Sequence, residues 1–476
     1  MTSTTLFRAW MAAMVACAVF AAARAQASPF GPLPPANPAV ALGGAATMHA
    51  DSASSDTTPY PGPGTGLVTA TFAELGAACP TVLQGSDAVP VALCTSIPTR
   101  APVVFLLDPD TGLPTSTLNL PAGALFGGVY TYLDRRDRMV LVDATGTIVR
   151  ISHAGGMLAI DDRLPVKAAL DAKCPDLCGG VVGIAPDWRG RIWLAADDGV
   201  VVLANPRTGT VRARRLGKDE QVANSISTVR GRTSVVTDHA LYDLTARADD
   251  RIRIRWRRVY DRGPARKPGQ LSRGSGATPT YFGPKTGDEL VAITDNAAPH
   301  EHLLVYDRRG RKVCDTPVLT RSDSGTENSP IGSGSSVFVA STYGYPYPAA
   351  PEGAEPTQPA SAPFTGGLTR VDLRTGGCDV RWDVAVRSAA VPRLSVPDGL
   401  IYTVQRTNRL NPQGPASNLD DYALTAIDAG SGEVRSQRLL GLTTAHDSLQ
   451  LAGTIVPGGV LYQGTISGIF RIAPNG

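Results

Sequence analysis

Two histidines two positions apart are the first residues in this chain whose types and spacing could do chemistry. His300 and His302 occur in the stretch "VAITDNAAPHEHLLVYDRRG", with Asp295, Asn296 and Glu301 beside them. The chain has only 6 histidines in 476 residues, so a close pair needs an explanation. On a strand, His300 and His302 would share one face, which suits a metal ion or acid–base work. The alternative is a structural loop, because Asp and Asn before Ala and Pro form good turns without any ligand.

The elements around this stretch repeat along the chain. A strand that ends in Asp or Asn, a turn that contains Gly and a second strand occur in "VVFLLDPDTGLPTSTLNL", "LLVYDRRGRKVC" and "ALTAIDAGSGEVRSQRL". Asp at the first turn position hydrogen-bonds its own backbone, and Gly supplies the positive φ of a hairpin. The turns recur at the spacing of β-propeller blades. They start at Asp108, Asp143, Asn205, Asp243, Asp307, Asp372 and Asp428.

This repeat predicts an all-β fold, a single β-propeller of eight four-stranded blades, with seven blades as the alternative. With 50 Gly and 38 Pro, turns must be frequent, which favours many short strands over long helices. The chain ends on "SGIFRIAP", which reads as the third strand of a last blade. We expect "GLVTATF", residues 66–72, to supply the fourth strand and close the ring, because an open propeller would leave a bare sheet edge.

The repeats resemble those of the quinoprotein alcohol dehydrogenase-like superfamily, eight-bladed propellers in which "D-x-x-T-G-x-v-x-W" turns recur. The likeness covers residues 67–476 and concerns the repeat, not an active site. Members that bind pyrroloquinoline quinone (PQQ) carry adjacent cysteines and a regular set of tryptophans. This sequence has no adjacent cysteines, no C-x-x-C-H haem motif, and after its N-terminal segment only Trp188, Trp193, Trp256 and Trp382. We therefore expect the propeller without PQQ.

The N-terminus is typical of an export signal. Arg8 precedes the apolar run "AWMAAMVACAVFAAA", and small-x-small cleavage sites follow, so residues 1–27 are predicted to be a signal peptide. The run is too short for a membrane span, and no later segment is apolar enough to be one. Residues 28–66, rich in Pro, Ala, Gly and Ser, are predicted to be a flexible leader, and residues 67–476 the propeller domain. The predicted location is periplasmic or extracellular.

Cysteine usage agrees with export. Removal of the signal peptide leaves six cysteines, an even number suited to disulfides in an oxidising compartment. The connectivity is open, but proximity in the chain favours three pairs, Cys79–Cys94, Cys174–Cys178 and Cys314–Cys378. The alternative for Cys174 and Cys178 is a metal site, which lacks a second pair of ligands in this sequence.

The connections of a propeller alternate between its two faces. With strands A to D numbered outward from the central channel, the short Asp/Gly turns are C–D connections, and the B–C and D–A connections lie on the opposite face. The long loops fall on that opposite face: "DNAAPHEH" in the fifth blade, residues 343–367 in the sixth and "RTNRLNPQGPASNLDD" in the seventh. Long loops on a rigid scaffold commonly carry function, so we expect the site at the channel mouth on this face.

The candidate residues at this face form two sets. The catalytic set, for acid–base work, is Asp295, His300, His302 and His446. The ligand-binding set is Asn224, Asp238, His239, Thr278, Asn296, Glu327 and Asn328, with Asp447 beside His446. A metal ion at His300 and His302 is the cofactor that these residues allow. The alternative is that polar residues at the channel mouth bind only water.

Composition and motifs exclude several classes of function. The net charge of +3 gives no global field for polyanions, and export argues against nucleic acid as a partner. The sequence has no G-x-S-x-G nucleophile elbow and no G-x-x-x-x-G-K-[ST] phosphate loop. The alternating arginines of "DDRIRIRWRRVYDR" predict an outer strand with one solvated face, with a basic ridge for acidic envelope polymers or lipid headgroups as the alternative.

Three functions stay open at this point. The first is an exported binding module that presents its loop-built face to a small molecule, a glycan or an envelope protein. The second is an extracytoplasmic hydrolase or lyase at the channel mouth. The third is a quinone-dependent dehydrogenase, for which the docking residues are missing. The composition points to no particular oligomeric state.

Overall fold

Eight four-stranded antiparallel sheets form a ring, which confirms the predicted eight-bladed β-propeller and excludes the seven-bladed alternative. The computed structural model describes residues 30–475 except 124–128, 175–178, 352 and 412–414. The signal-peptide prediction therefore lies outside the described residues. Within them, the helices are short: α1 (Lys167–Asp171) and 3-10 turns at Ala154–Gly156 and Thr444–His446. No helix of the described part is long and apolar enough to span a membrane.

Two N-terminal strands precede the first blade, β1 (Thr57–Thr58) and β2 (Val68–Glu74). Blade 1 is β3 (Ala77–Gln84), β4 (Pro90–Ser96), β5 (Pro102–Leu107) and β6 (Pro114–Asn119). Blade 2 is β7 (Tyr132–Leu133), β8 (Met139–Val142), β9 (Thr147–Ser152) and β10 (Ala159–Pro165). Blade 3 is β11 (Val181–Pro186), β12 (Ile192–Ala196), β13 (Val200–Asn205) and β14 (Thr210–Arg215). Blade 4 is β15 (Ile226–Val229), β16 (Arg232–Val236), β17 (Ala240–Ala246) and β18 (Ile252–Val259).

The second half of the ring follows the same plan. Blade 5 is β19 (Thr280–Phe282), β20 (Leu290–Thr294), β21 (His302–Asp307) and β22 (Lys312–Pro317). Blade 6 is β23 (Ile331–Ser333), β24 (Ser336–Ala340), β25 (Leu368–Arg374) and β26 (Gly377–Val384). After the short strand β27 (Ala390–Val391), blade 7 is β28 (Arg393–Ser395), β29 (Leu400–Thr407), β30 (Asp421–Asp428) and β31 (Val434–Leu442). The strand β32 (Leu451–Ala452) pairs with β27, and blade 8 is β33 (Thr454–Val456), β34 (Val460–Gly464), β35 (Gly468–Pro474) and finally β2.

The N-terminal strand β2 closes the ring, as predicted. It pairs antiparallel with β35, from Val68 opposite Pro474 to Glu74 opposite Gly468. It is the outermost strand of blade 8, so the first and last parts of the propeller share one sheet. This pairing covers the edge that an open ring would expose.

The apolar core is divided among the spaces between neighbouring blades. Phe282 and Leu303 of blade 5, for example, belong to one buried cluster with Val337 and Val371 of blade 6. Inner and middle strands have both faces buried and are therefore continuous apolar runs, as in β13. Outer strands have one solvated face and alternate. In β18 Arg253, Arg255 and Arg257 are exposed while Ile252 and Trp256 are buried, which agrees with the predicted outer strand.

The Asp/Gly turns mostly connect the third and fourth strands of a blade. Five of these turns agree with the prediction, those that start at Asp108, Asn205, Asp307, Asp372 and Asp428. Asp143 instead starts the connection between β8 and β9 on the opposite face, and Asp243 lies within β17, where it pairs with Arg232 and Arg255. The same turn chemistry serves any tight hairpin, so the local sequence does not reveal which two strands a turn joins.

The segment that precedes the propeller differs most from expectation. Residues 45–58, called the channel segment below, lie against the inner strands instead of forming part of a solvated leader. Amides from six blades donate hydrogen bonds to carbonyls of this segment: Gln84 to Ala45, Leu133 to Ala46, Thr228 to Ser52, Tyr281 to Ala53, Gly332 to Ser55 and Leu394 to Asp56. The strand β1 also pairs in parallel with β28. The channel segment binds there because the innermost strand of each sheet has a free edge, whose backbone N–H groups need hydrogen-bond acceptors.

Two of the predicted disulfides are confirmed. Cys79–Cys94 joins β3 and β4 within blade 1, and Cys314–Cys378 joins the outer strands of blades 5 and 6. Cys174 is also disulfide-bonded, but its predicted partner Cys178 lies outside the described residues.

Candidate functional site at the loop face

The long connections gather on one face of the ring, called the loop face below. The B–C loops of blades 5, 6 and 7 span residues 295–301, 341–367 and 408–420, and the blade 4 to blade 5 connection spans 260–279. Each follows a strand that runs toward this face, so all of them open on the same side of the ring. The A–B and C–D turns form the opposite face, called the turn face.

Two of these loops enclose a cleft of about 260 Å³, called the loop cleft. One wall comes from residues 266–271 and the other from residues 344–350 and 357–362. An isolated parallel β-bridge between Arg266 and Thr357 joins the walls. Gly344 N donates to Pro268 O at 2.9 Å, and Gln358 N donates to Arg266 O at 2.9 Å. The cleft is therefore held open by hydrogen bonds between its own walls.

Two tyrosines form the aromatic side of the loop cleft. The Tyr345 ring lies edge-on to the rings of Tyr347 and Phe364, with centroids 4.8 and 5.2 Å away. The Tyr345 hydroxyl donates to Asp447, whereas the Tyr347 hydroxyl has no hydrogen-bond partner among the described residues. Burial raises the pKa of both phenols well above its usual value, with further contributions from the Asp447 carboxylate at Tyr345 and from the Glu327 and Asp447 carboxylates at Tyr347. Tyr347 thus presents a neutral hydroxyl that is free to bond a ligand.

Glu327 lies behind the loop cleft and binds one of its walls. Its Oε1 accepts hydrogen bonds from Leu271 N at 2.6 Å and Ser272 N at 3.3 Å, and its Oε2 accepts one from Asn224 Nδ2 at 3.2 Å. Asn224 Oδ1 in turn accepts from the Tyr130 hydroxyl at 3.0 Å. Burial raises the pKa of Glu327 to about 7. The structure therefore brings together Asn224 and Glu327 of the predicted ligand-binding set.

Glu301 is a second buried carboxyl group under the same loop. Its Oε1 accepts from Gln270 Nε2 at 3.1 Å and from Thr326 N at 3.2 Å, and Lys267 Nζ lies 3.7 Å away. Burial raises the pKa of Glu301 to about 8, against the opposing effect of Lys267. Asn296 completes this network, because its Oδ1 accepts from Gln270 Nε2 at 3.0 Å. These groups fix the loop that forms one wall of the cleft, residues 266–271.

The predicted catalytic residues are not brought together. Asp295 Oδ1 accepts from His302 N at 2.6 Å and from Ala297 N at 3.1 Å, so this carboxylate caps a turn. Burial raises the pKa of Asp295 to about 6. The His302 ring shares a 2.6 Å hydrogen bond with Asp315 on the outer strand β22. His446 lies elsewhere, in the connection from blade 7 to blade 8, where its ring packs against blade 8 at 4.9 Å from Phe72 and 5.4 Å from Phe470.

The metal site at His300 and His302 stays a prediction. Among the described residues, no group of three or more His, Cys, Asp or Glu side chains is arranged to hold a metal ion. His302 is already bonded to Asp315, and His300 Nδ1 is buried without a hydrogen-bond partner in the described part of the chain. Metal analysis of the wild type, His300→Ala and His302→Ala tests the prediction.

The remaining predicted residues have separate surroundings. Arg262 donates to Asp238 Oδ2 at 2.6 Å and to His239 Nε2 at 2.9 Å. His239 therefore carries its proton on Nδ1 and donates it to Asp238 Oδ1 at 2.9 Å. Thr278 Oγ1 lies 3.4 Å from His49 Nε2 in the channel, and Asn328 Nδ2 donates to Gln450 Oε1 at 3.0 Å. These four residues are hydrogen-bonded to neighbouring side chains, and they do not line the loop cleft.

Sequence reasoning missed the polar cluster inside the channel. Asp56 Oδ1 accepts from Arg393 Nη1 at 2.7 Å and lies 3.0 Å from His49 Nδ1, and the Ser329 hydroxyl donates to the same carboxylate. Arg393 Nη2 also donates to Met48 O at 2.8 Å. One sequence feature could have indicated this cluster: His49, Asp51 and Asp56 are the only titratable side chains other than Tyr60 in the Pro/Ala/Gly/Ser-rich stretch of residues 28–66. A solvated linker has no structural need for them.

Comparison with known proteins gives distant similarities. No family model matches the chain. An uncharacterized protein of Archaeoglobus fulgidus is 26% identical over 331 residues, which are 63% of this chain and 62% of that protein, less than two thirds of its length. The crystal structure of BamB from Moraxella catarrhalis is 14% identical with a TM-score of 0.43, over 71% of this chain and 93% of that chain. The Cps50 (Swd1) β-propeller domain of Myceliophteria thermophila is 11% identical with a TM-score of 0.35, over 55% and 79% of the two chains.

Proposed function

We propose that this protein is an exported binding module that holds a small ligand, one sugar ring in size, in the loop cleft. The observation that carries the proposal is the cleft with its aromatic side and the Tyr347 hydroxyl, which has no hydrogen-bond partner among the described residues. Small-molecule sites enclose about 300–1,000 Å³, so a cleft of about 260 Å³ suits a single ring or a side chain better than a large ligand. Aromatic rings with a few polar groups are a common lining for such sites.

The filled channel supports the placement of the ligand at the rim. His49 and the residues around it occupy the space between the inner strands, and the cavity left beside them is only about 20 Å³. A cavity of that size accommodates about one water molecule. A ligand therefore approaches from the loop face, where the loop cleft opens.

A conservative substitution tests the proposal. Tyr347→Phe removes only a hydroxyl that bonds nothing in the described structure, so the fold should be retained while ligand affinity falls by about tenfold. Tyr60→Phe, outside the cleft, is the matched control. The measurement is saturation-transfer NMR against a panel of free monosaccharides. Binding that Tyr347→Phe leaves unchanged would place the ligand elsewhere.

Deletion of residues 346–363 provides a coarser test of the same cleft. The deletion removes one wall and the bridge between Arg266 and Thr357, but no strand of blade 6. We expect the propeller to fold and ligand capture to be lost. Capture that survives the deletion would favour an envelope protein or another ligand that contacts a different part of the loop face.

Export is the second part of the proposal. Two disulfides suit an oxidising compartment, and residues 1–27 carry the features of a signal peptide. Expression of the full chain in a bacterium, followed by fractionation and N-terminal sequencing, tests it. Cleavage near residues 25–27 with recovery outside the cytoplasm is expected. An uncleaved cytoplasmic product with reduced cysteines would contradict it.

A hydrolase or lyase at the same cleft is the alternative, and Glu327 is the residue that favours it. A carboxyl group with a pKa of about 7 is suited to general acid catalysis at neutral pH. Chromogenic glycosides test this alternative: turnover by the wild type and loss of turnover in Glu327→Gln would support an enzyme. The dehydrogenase alternative is tested by the absorbance of the protein after incubation with PQQ and calcium, where a bound chromophore would support it.

A further inference from the structure

A second concave surface lies on the turn face, between blades 5 and 6. It is a groove of about 980 Å³, called the turn-face groove, and the proposed function does not use it. Its walls come from the A–B and C–D turns of both blades, at residues 284–290, 307–313, 335 and 373–377. The groove is thus built from the turns of two adjacent blades and lies on the face opposite the loop cleft.

The bottom of the turn-face groove is apolar and rigid. Leu290, Val313 and Leu373 line it and are only partly buried against the core between the two blades. The Cys314–Cys378 disulfide joins the outer strands of both blades, and its cysteines directly follow the lining residues Val313 and Gly377. The two walls are therefore held at a fixed separation, which lowers the entropic cost of binding.

The rim of the turn-face groove carries more cationic than acidic side chains. Five cationic side chains line it, Lys285, Arg308, Arg309, Arg311 and Arg374. Arg308 pairs with Asp288 and Arg374 with Asp379, and both arginines are more than half exposed. Exposed ion pairs contribute only about 0–1 kcal/mol, so a ligand can compete for these arginines. The Lys285 and Arg309 side chains have no ion-pair partner among the described residues.

The two acidic residues of the lining are already engaged as acceptors. Asp307 accepts from the backbone N–H groups of Arg309 and Arg311, each at 2.9 Å, and Glu289 accepts from Lys285 N at 2.7 Å and Thr286 N at 2.9 Å. Although partial burial opposes the effect, these hydrogen bonds lower the pKa of both carboxyl groups. Both groups therefore hold the turns in shape, and their acceptor sites are not open to a ligand's donors.

We propose that the turn-face groove binds an acidic polypeptide segment of a partner protein, one in which carboxylates alternate with apolar side chains. The apolar side chains pack on Leu290, Val313 and Leu373 while the carboxylates meet the basic rim. A dense polyanion fits less well, because Asp288, Asp307, Glu289 and Asp379 also stand around the groove and repel closely spaced charges. The segment thus needs charges that are separated by apolar residues.

The test uses a fluorescein-labelled synthetic peptide of twelve residues in which glutamate and leucine alternate. Anisotropy with the full chain should show saturable binding that weakens as salt is raised. Lys285→Glu combined with Arg309→Glu should weaken binding at least tenfold. Arg251→Glu combined with Arg253→Glu changes the net charge equally, at exposed residues just before and within β18, and should change binding less than twofold. Equal loss in both double variants would overturn the proposal.

A steric variant separates the groove from general electrostatics. A Cβ at Gly377 meets only Arg374 Nη1, at 4.0 Å, and the backbone there has no positive φ, so Gly377→Trp adds bulk at the groove wall without a backbone clash at Cβ. The affinity of the Gly377→Trp variant for the peptide should fall at least tenfold. The control is Gly66→Trp, where a Cβ meets nothing within 4 Å, and it should bind the peptide as the wild type does. An all-glutamate peptide should bind more weakly than the alternating one. Binding of oligoglucuronate in place of the peptide, with the same dependence on Gly377, would assign the groove to an anionic glycan and overturn the polypeptide proposal.

Discussion

Arg393 and Asp56, 337 positions apart in the chain, form an ion pair inside the channel with 2.7 Å between Nη1 and Oδ1. The two side chains are 2% and 0% exposed. Arg393 also donates to Met48 O and to Gly453 O, at 2.8 Å each. One side chain of blade 7 therefore connects the channel segment with the start of blade 8. The segment that precedes the propeller in sequence is a structural part of it.

Loss of this ion pair should destabilise the protein strongly. Arg393→Ala leaves the Asp56 carboxylate buried without its cation, and breaking a buried pair in this way costs about 3–5 kcal/mol. Urea unfolding followed by tryptophan fluorescence gives the free energy. The control is Arg435→Ala, which removes an exposed pair with Glu433 and should cost no more than about 1 kcal/mol. Equal effects of the two substitutions would mean that the channel segment contributes nothing to stability.

A pair of glycines tests the packing of the N-terminal segment directly. A Cβ at Gly44 would lie 2.1 Å from Gln84 O on the inner strand of blade 1, whereas a Cβ at Gly66 would meet nothing within 4 Å. Gly44→Ala should therefore cost about 1–3 kcal/mol, as overpacking does. Gly66→Ala should stay within about 0.5 kcal/mol of the wild type. Thermal unfolding of both variants measures the difference, and a neutral Gly44→Ala would indicate that the segment leaves the channel in solution.

Removal of the disulfide between blades 5 and 6 should lower stability. The Cys314–Cys378 bond closes a loop with a sequence separation of 64, so Cys314→Ala combined with Cys378→Ala should cost about 2–4 kcal/mol. The measurement is the urea midpoint of the double variant and of the wild type, without reductant. With reductant present the difference between the two urea midpoints should become smaller, because the wild type then loses the same disulfide bond. A gap that reductant does not change would trace the loss to packing and not to the cross-link.

Stability should fall as the pH rises through neutrality because of Glu327. Burial raises the pKa of this group from 4.5 to about 7 in the folded state. A raised folded-state pKa gives stability that is complete below about pH 4.5 and is lost as the pH rises through about 7. At about 1.4 kcal/mol per pKa unit, the loss is about 3 kcal/mol.

Glu327→Gln removes this titration, so the difference in unfolding free energy between wild type and variant should change by about 3 kcal/mol between pH 4.5 and pH 8. Glu433→Gln, at an exposed carboxyl group, is the control and should show a constant difference. Glu301 keeps some pH dependence in both proteins, since burial raises its pKa to about 8. A pH-independent difference for Glu327→Gln would mean that water reaches this carboxyl group.

The architecture was predictable because it depends on sequence signals between neighbouring residues. Asp and Gly mark hairpins, apolar runs mark strands buried on both faces, and these signals recur with the period of a blade. Ring closure by β2 followed from the unfinished last blade, and the Cys314–Cys378 pairing followed from proximity in the chain. The position of the long loops on one face followed from the alternation of antiparallel strands.

The composition of the candidate site was not predictable in the same way. Asp295 and His302 are close in sequence, yet the carboxylate binds the backbone N–H of His302 while the imidazole turns to Asp315. The direction of a side chain depends on which strand lies beside it. His446 was assigned to the channel mouth by its place in a connection, but its ring packs on Phe72, which ring closure alone brings to blade 8.

The sequence alone therefore determined an all-β ring of eight blades and the face on which its irregular loops gather, because strand and turn signals act between near neighbours. Only the tertiary structure decided that residues 45–58 fill the channel, that Tyr345 and Tyr347 border a cleft with Arg266, and that blades 5 and 6 enclose a basic groove. Those contacts join residues that are distant in the chain. These contacts are stabilised by hydrogen bonds to the free edges of the inner strands and by burial of apolar surface. Both arise only once the ring has closed.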